Sequence, residues 1–267
     1  MKELLIAYST QVLFTIGMIA IGGLLIALCN RLFYANFGSE AKLVCYITGA
    51  IGVPVHELSH ALFCVIFAHK ITEIKLFQIS DEDGTLGYVK HTYNRKNIYQ
   101  NIGNFFIGVA PIIVMSALLF LLAWAMMPDT VHSIIVQIKS LNLTGKPVDA
   151  FITFFKAFGD YFSAISDYKW WLFIIIGSFF ALHMCLSIAD IKNALSGLIF
   201  LLVAILIVDI ILRIVSIAIL NMVTRTILTG GVFLTVFLSL ALLINIVLIN
   251  VSMIYRLAKK KIANKTH

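Results

Sequence analysis

The chain has 267 residues, of which 61% are hydrophobic and 12% charged, with a formal net charge of +7. A soluble domain of this length needs a charged exterior, so these proportions point to an all-α polytopic membrane protein in a single integral membrane domain. The basic residues are scattered between apolar runs, which argues against nucleic acid as a partner and makes them topology markers and contacts for anionic lipid headgroups.

Six apolar runs are long enough to span a bilayer, at about 6–29, 43–69, 98–127, 170–190, 195–222 and 229–255. The first follows Met1–Lys2 as a signal peptide would. It is too long for one, however, and reads as the first span. The second and fourth carry polar residues in mid-run, where function concentrates in membrane proteins. Cys29, Cys45, Cys64 and Cys185 lie in or beside the apolar runs without a Cys-x-x-Cys pair, so no disulfide framework or thiolate zinc site is indicated.

Charge sets the expected orientation. The tail from Arg256 to Lys265 is strongly basic, and Lys70, Lys75, Lys90, Arg95 and Lys96 crowd the connection between the second and third runs. Both should be cytoplasmic. The 128–168 connection mixes lysines with Asp129, Asp149, Asp160 and Asp167 and suits the outer face. Six spans would then put both termini in the cytoplasm. Residues 71–79 alternate apolar and polar, Asp81–Gly84 reads as a turn, and a second strand follows, giving a small β-hairpin over about 71–93 at the cytoplasmic face. Residues 151–166 form an aromatic, weakly amphipathic stretch suited to the membrane surface.

His56-Glu57-Leu58-Ser59-His60, inside the second run, carries the chemistry. Residues four apart share a helix face, so His56 and His60 can present two imidazoles to one metal ion. Glu57 stands where its carboxylate can take a proton from a water on that metal. His56 precedes Lys70 by 14 residues, about 21 Å along a helix, which puts the motif inside the hydrocarbon layer. Three ionisable side chains in five positions are costly there, and a divalent cation offsets that cost. Two imidazoles and a carboxylate suit Zn2+. Asp190 is the first choice for a third ligand, with His183 the alternative or a supporting partner. The two are seven residues apart, on one helix face, and Asp190 also suits a helix N-cap.

Other polar residues have plainer readings. Asp209 and Arg213, four apart, should pair with each other, Asp209 near the metal being the alternative. Asn104, Asn245 and Asn250 suit interhelical hydrogen bonds, and Asn104 could instead touch a substrate backbone. Gly108 and Pro111 either open the third span to a peptide or serve packing and a kink. His69 and His91 read as ordinary interfacial residues.

The motif in a span, the strand-rich segment after it, Gly108-Val-Ala-Pro111 and Asp190 before a helix-starting segment together resemble the site-2-protease-type intramembrane zinc metalloproteases. The likeness is closer to their bacterial zincin peptidase relatives and covers about residues 45–200. It implies a bacterial cell membrane, His56, His60 and Asp190 as zinc ligands, Glu57 as the general base, and a membrane-protein or peptide substrate. Asp190 stands between Ala189 and Ile191 rather than in the Leu-Asp-Gly segment of the better-known members, and no PDZ-like insertion is present. The competing class is a non-catalytic transporter or accessory subunit with a structural metal site. A transporter would show internal duplication, and halves 1–127 and 128–267 do not repeat one another.

Overall fold

The computed structural model describes residues 2–79, 85–139 and 159–264. It is an all-α polytopic fold with one small antiparallel sheet. The helices are α1 (Lys2–Ala35, with a π-helical turn at Leu13–Gly17), α2 (Ala41–Ile66), α3 (Ile98–Met126), α4 (Pro128–Lys139), α5 (Tyr168–Ala181), α6 (Ile188–Val215) and α7 (Ile217–Ala263). Strands β1 (Lys70–Lys75) and β2 (Tyr88–Thr92) lie between α2 and α3. Among the described residues, α1, α3, α6, α7 and the helical stretch Gly38–Ile66 are long and apolar enough to cross a membrane, and α5 is a shorter apolar helix of 14 residues. Such helices fit an integral membrane protein, because a helix satisfies its own backbone where no water can. Half of the expected surface stretch at 151–166, residues 151–158, falls outside the described residues.

The helices of the fourth and fifth apolar runs, α5 and α6, both pack along α3. Down α3, Leu119 lies beside Gly177 of α5, Gly108 beside Asp190 and Ala194, and Phe105 beside Gly197 of α6. The two helices therefore run end to end, antiparallel to α3, with a break at 182–187. Asp167 caps the start of α5 by accepting from the Lys169 N–H, and Ser187 caps α6 by accepting from the Asp190 N–H. At the other end of α6, Ser216 turns the chain in a single extended residue and caps α7. The last boundary thus falls at 216, not between 222 and 229.

A break inside a bundle frees carbonyls that water cannot serve. Here the Asn245 side chain donates to the Ala181 carbonyl at 3.4 Å and Asn30 donates to that of Leu182 at 2.8 Å. Asn245 thus bridges helices as expected, whereas Asn250, among the described residues, donates to Ile246 in its own helix. Asn104 is fully buried, and no described residue bonds its side chain.

Helices α1 and α7 are parallel neighbours: Phe14 lies against Gly231, Gly22 against Leu238, and Asn36 donates to Ser252 at 2.9 Å. With α1 and α7 parallel, Lys2 and the basic segment Lys259–Lys261 lie at opposite ends of the bundle. This parts the termini that six crossings would have put on one face. It also parts the two basic regions, since the base of the hairpin lies at the Lys2 end.

The expected Asp209–Arg213 pair does not form. Arg213 reaches Glu3 at 3.4 Å, while buried Asp209 accepts from Gln11 at 3.0 Å, and Gln11 also donates to Thr224. Asp209 lies 19 residues beyond Asp190 on α6, about 28 Å along its axis, which takes it away from the motif.

The hairpin folds back along α2. Ala68 sits at φ 55, and the His69 N–H donates to the Cys64 carbonyl at 2.8 Å, a left-handed helix end that reverses the chain. Strand β2 then runs beside the motif helix: His91 pairs in register with Ile71, Gly87 lies against Val53 and Glu57, and Leu86 lies against Gly49. A side chain at Gly87 would press a Cβ to 2.8 Å from the Glu57 Cγ, so only glycine allows this approach.

Candidate metal centre

His56 and His60 stand one turn apart on α2 and face Asp190 in the first turn of α6. The His56 Nε2 lies 3.6 Å from Asp190 Oδ2, the His60 Nε2 lies 3.1 Å from Oδ1, and the two Nε2 atoms are 3.2 Å apart. Tautomers follow from the other ring nitrogens. His56 Nδ1–H donates to the His183 carbonyl at 2.8 Å, and His60 Nδ1–H donates to the Ile107 carbonyl at 2.7 Å. With both Nδ1 atoms protonated, both neutral imidazoles turn lone pairs toward a carboxylate. In that form three acceptors converge with no donor among them, an arrangement suited to a cation between them. Tetrahedral zinc with bonds near 2.0–2.2 Å would hold its ligand atoms about 3.4 Å apart; the two Nε2 atoms are 3.2 Å apart, each lies 3.1–3.6 Å from one of the Asp190 oxygens, and one ligand atom from each residue falls within 4.8 Å of the others. The donor set therefore fits zinc.

Asp190 serves the helix as well as the cluster. It is the third residue of α6, not its cap, and its Oδ2 accepts from the Ser187 N–H at 2.7 Å in a capping box with Ser187. That bond fixes the carboxylate against the break. His183 is buried and its ring stands outside the cluster: its Nε2 bonds the Thr48 hydroxyl at 3.0 Å, and Thr48 contacts the Tyr34 hydroxyl at 3.3 Å. Its contribution is the main-chain carbonyl that holds His56, the kind of outer support that orients metal-binding histidines. Gly52 allows the approach, since α2 packs there directly on Phe179 and His183.

Glu57 is 6% exposed and borders a cleft of about 720 Å³. One wall is β2 with its approach, from Gly87 to His91, and the other is the start of α6, from Ser187 to Asn193. His91 belongs to this wall, contrary to its plain reading in the sequence. Its Nδ1 lies 3.0 Å from that of His69, whose Nε2–H donates to the Gln100 carbonyl at 2.9 Å. Neutral His69 must therefore accept from His91, which leaves the far ring nitrogen of His91 as an acceptor. Burial lowers the pKa of both rings from 6.5, and for His91 the neighbouring His69 and His60 add to it, bringing the value to about 4. Thr48, Tyr34, Asn30 and Ile107 were not singled out in the sequence, because they act through contacts made by the fold that no motif marks.

The fold and site define a polytopic membrane protein with a His-His-Asp cluster able to hold a metal ion. Residues 49–160 match the model of a family described as "Putative zincin peptidase", and this similarity to a zinc metallopeptidase family covers the motif, the hairpin and α3. Comparisons with curated proteins and with solved structures give no match.

Proposed function

We propose that the chain is an intramembrane zinc metalloprotease that hydrolyses a peptide bond of a membrane-embedded substrate in a bacterial cell membrane. The observation that carries this reading is the convergence of two imidazole lone pairs and a carboxylate beside buried Glu57, at the edge of an open cleft. His56, His60 and Asp190 would hold the ion. Bound there, zinc supplies a Lewis acid that polarises a carbonyl and makes water acidic.

The chain's own groups supply the rest. Glu57 accepts a proton from the attacking water and passes it to the leaving nitrogen as the carbon–nitrogen bond breaks. A helical substrate must first be drawn out, because its amides are hydrogen-bonded. The edge of β2 that faces α6 offers backbone groups to such an extended chain, and the cleft lies along it. His91 adds an acceptor in the same wall for an amide N–H. The break at 182–187 holds Asp190 opposite that strand.

The test is metal content of the detergent-purified protein beside His56→Ala and Asp190→Ala. About one zinc per chain, lost in both variants, supports the reading. Absence of metal from folded protein purified without chelators defeats it. A proline on the free edge of β2 should lower cleavage without loss of zinc, and unchanged turnover would remove the hairpin from the mechanism.

A further inference from the structure

The His60 Nδ1–H donates at 2.7 Å to a carbonyl that lies inside a helix, that of Ile107 in α3. A carbonyl in a continuous helix normally accepts from the N–H four residues later. Four residues after Ile107 stands Pro111, which has no N–H and whose ring crowds the carbonyl at that spacing. Helix α3 nevertheless runs unbroken through this point, and Pro111 is buried within it. We propose that Pro111 is a positioning residue of the metal centre: it withholds the helical donor from the Ile107 carbonyl and so reserves that carbonyl for His60.

The two metal-facing histidines are then held by the same device built in two ways. His56 uses a carbonyl released by the break between α5 and α6, and His60 uses one released by a proline within an intact helix. Each bond fixes the Nδ1–H tautomer and leaves Nε2 for the metal. Gly108, one residue after Ile107, lets α6 approach at the same level, so the carbonyl, His60 and Asp190 meet within one turn of α3. Pro54 provides a comparison inside the motif helix. It likewise frees the carbonyl of Ala50, and no described side chain bonds that atom.

This inference rests on the metal reading of the cluster, and the experiment separates the two. Zinc affinity would be measured by chelator competition for the wild type, Pro111→Ala and Pro54→Ala, together with thermal stability of the zinc-free forms. Pro111→Ala restores an N–H to α3, so zinc affinity should fall at least tenfold while the zinc-free protein is as stable as the wild type or more so. Pro54→Ala should leave affinity within twofold. A purely structural proline would shift stability and leave zinc alone. Where Pro111→Ala does not fold, Pro111→Gly supplies the same N–H with less bulk. Unchanged affinity in a folded Pro111 variant overturns the inference while the metal reading stands. A wild type that binds no zinc overturns both.

Discussion

His56 and His183 are joined through the backbone of one and the ring of the other: the His56 Nδ1–H donates to the His183 carbonyl at 2.8 Å, while the His183 ring turns away to Thr48. The metal-facing histidine is thereby tied to the break between α5 and α6. That break also sets Asp190, through Ser187, so two of the three candidate ligands depend on one interruption of a helix.

Thr48→Val removes the hydroxyl that holds the His183 ring and keeps the shape. The buried ring nitrogen loses its partner, which should cost about 1–3 kcal/mol. Zinc affinity should also fall, because the carbonyl that orients His56 is held less firmly. Denaturant melts and chelator competition read the two effects, and full retention of both would show that the Thr48 bond does not support the site.

Glu57→Gln should keep zinc and lose turnover by about 10²–10⁴-fold, since the amide cannot accept a proton from water. A structural metal site would tolerate the change in a cell-based assay. Retained activity would remove Glu57 as the base.

Ala68→Gly should stabilise the protein by about 1 kcal/mol. Ala68 is at φ 55, where a Cβ is crowded and glycine is not. Its N–H and that of His69 already bond within the helix end, so the hydrogen bonds are unchanged. A lower melting temperature in the variant would contradict this account of the reversal.

Acid should loosen the hairpin. The folded protein binds protons at His69 and His91 less readily than the unfolded chain, whose imidazoles titrate near 6.5. Between about 6.5 and 4 the unfolded chain therefore holds more protons, and stability rises with pH across that window. Stability is complete above 6.5 and is withdrawn as pH falls. Hydrogen exchange of Lys70–Lys75 and Tyr88–Thr92, corrected for intrinsic rates, should show less protection at pH 5 than at pH 7. Equal protection would dissociate the histidine pair from hairpin stability.

Single cysteines in a cysteine-free background, at Lys2 and Lys260, should react with a membrane-impermeant maleimide from opposite sides of sealed vesicles. Labelling of both from one side would contradict the parallel packing of α1 and α7.

Much of this arrangement was legible because apolar length and a four-residue histidine spacing are local properties. The spans and the pairing of His56 with His60 follow from such short-range patterns. The joining of the fourth and fifth runs did not show, since a break satisfied by Asn30 and Asn245 leaves hydropathy untouched. The count of six spans, and with it the expectation of both termini on one side, rests on reading those runs as separate. Asp209 was paired with Arg213 because they share a helix face, but Gln11 and Glu3 on another helix compete for the two charges. His91 looked ordinary because only the fold-back at Ala68 brings it to the cleft.

The close seat of Gly87 on Glu57 has a consequence for inactivation. A methyl group at that position would meet the Glu57 Cγ and a Val53 methyl at 2.8 Å each and the Glu57 Oε1 at 3.0 Å. Gly87→Ala would therefore push β2 and Glu57 apart, displacing the proposed base while His56, His60 and Asp190 keep their identities.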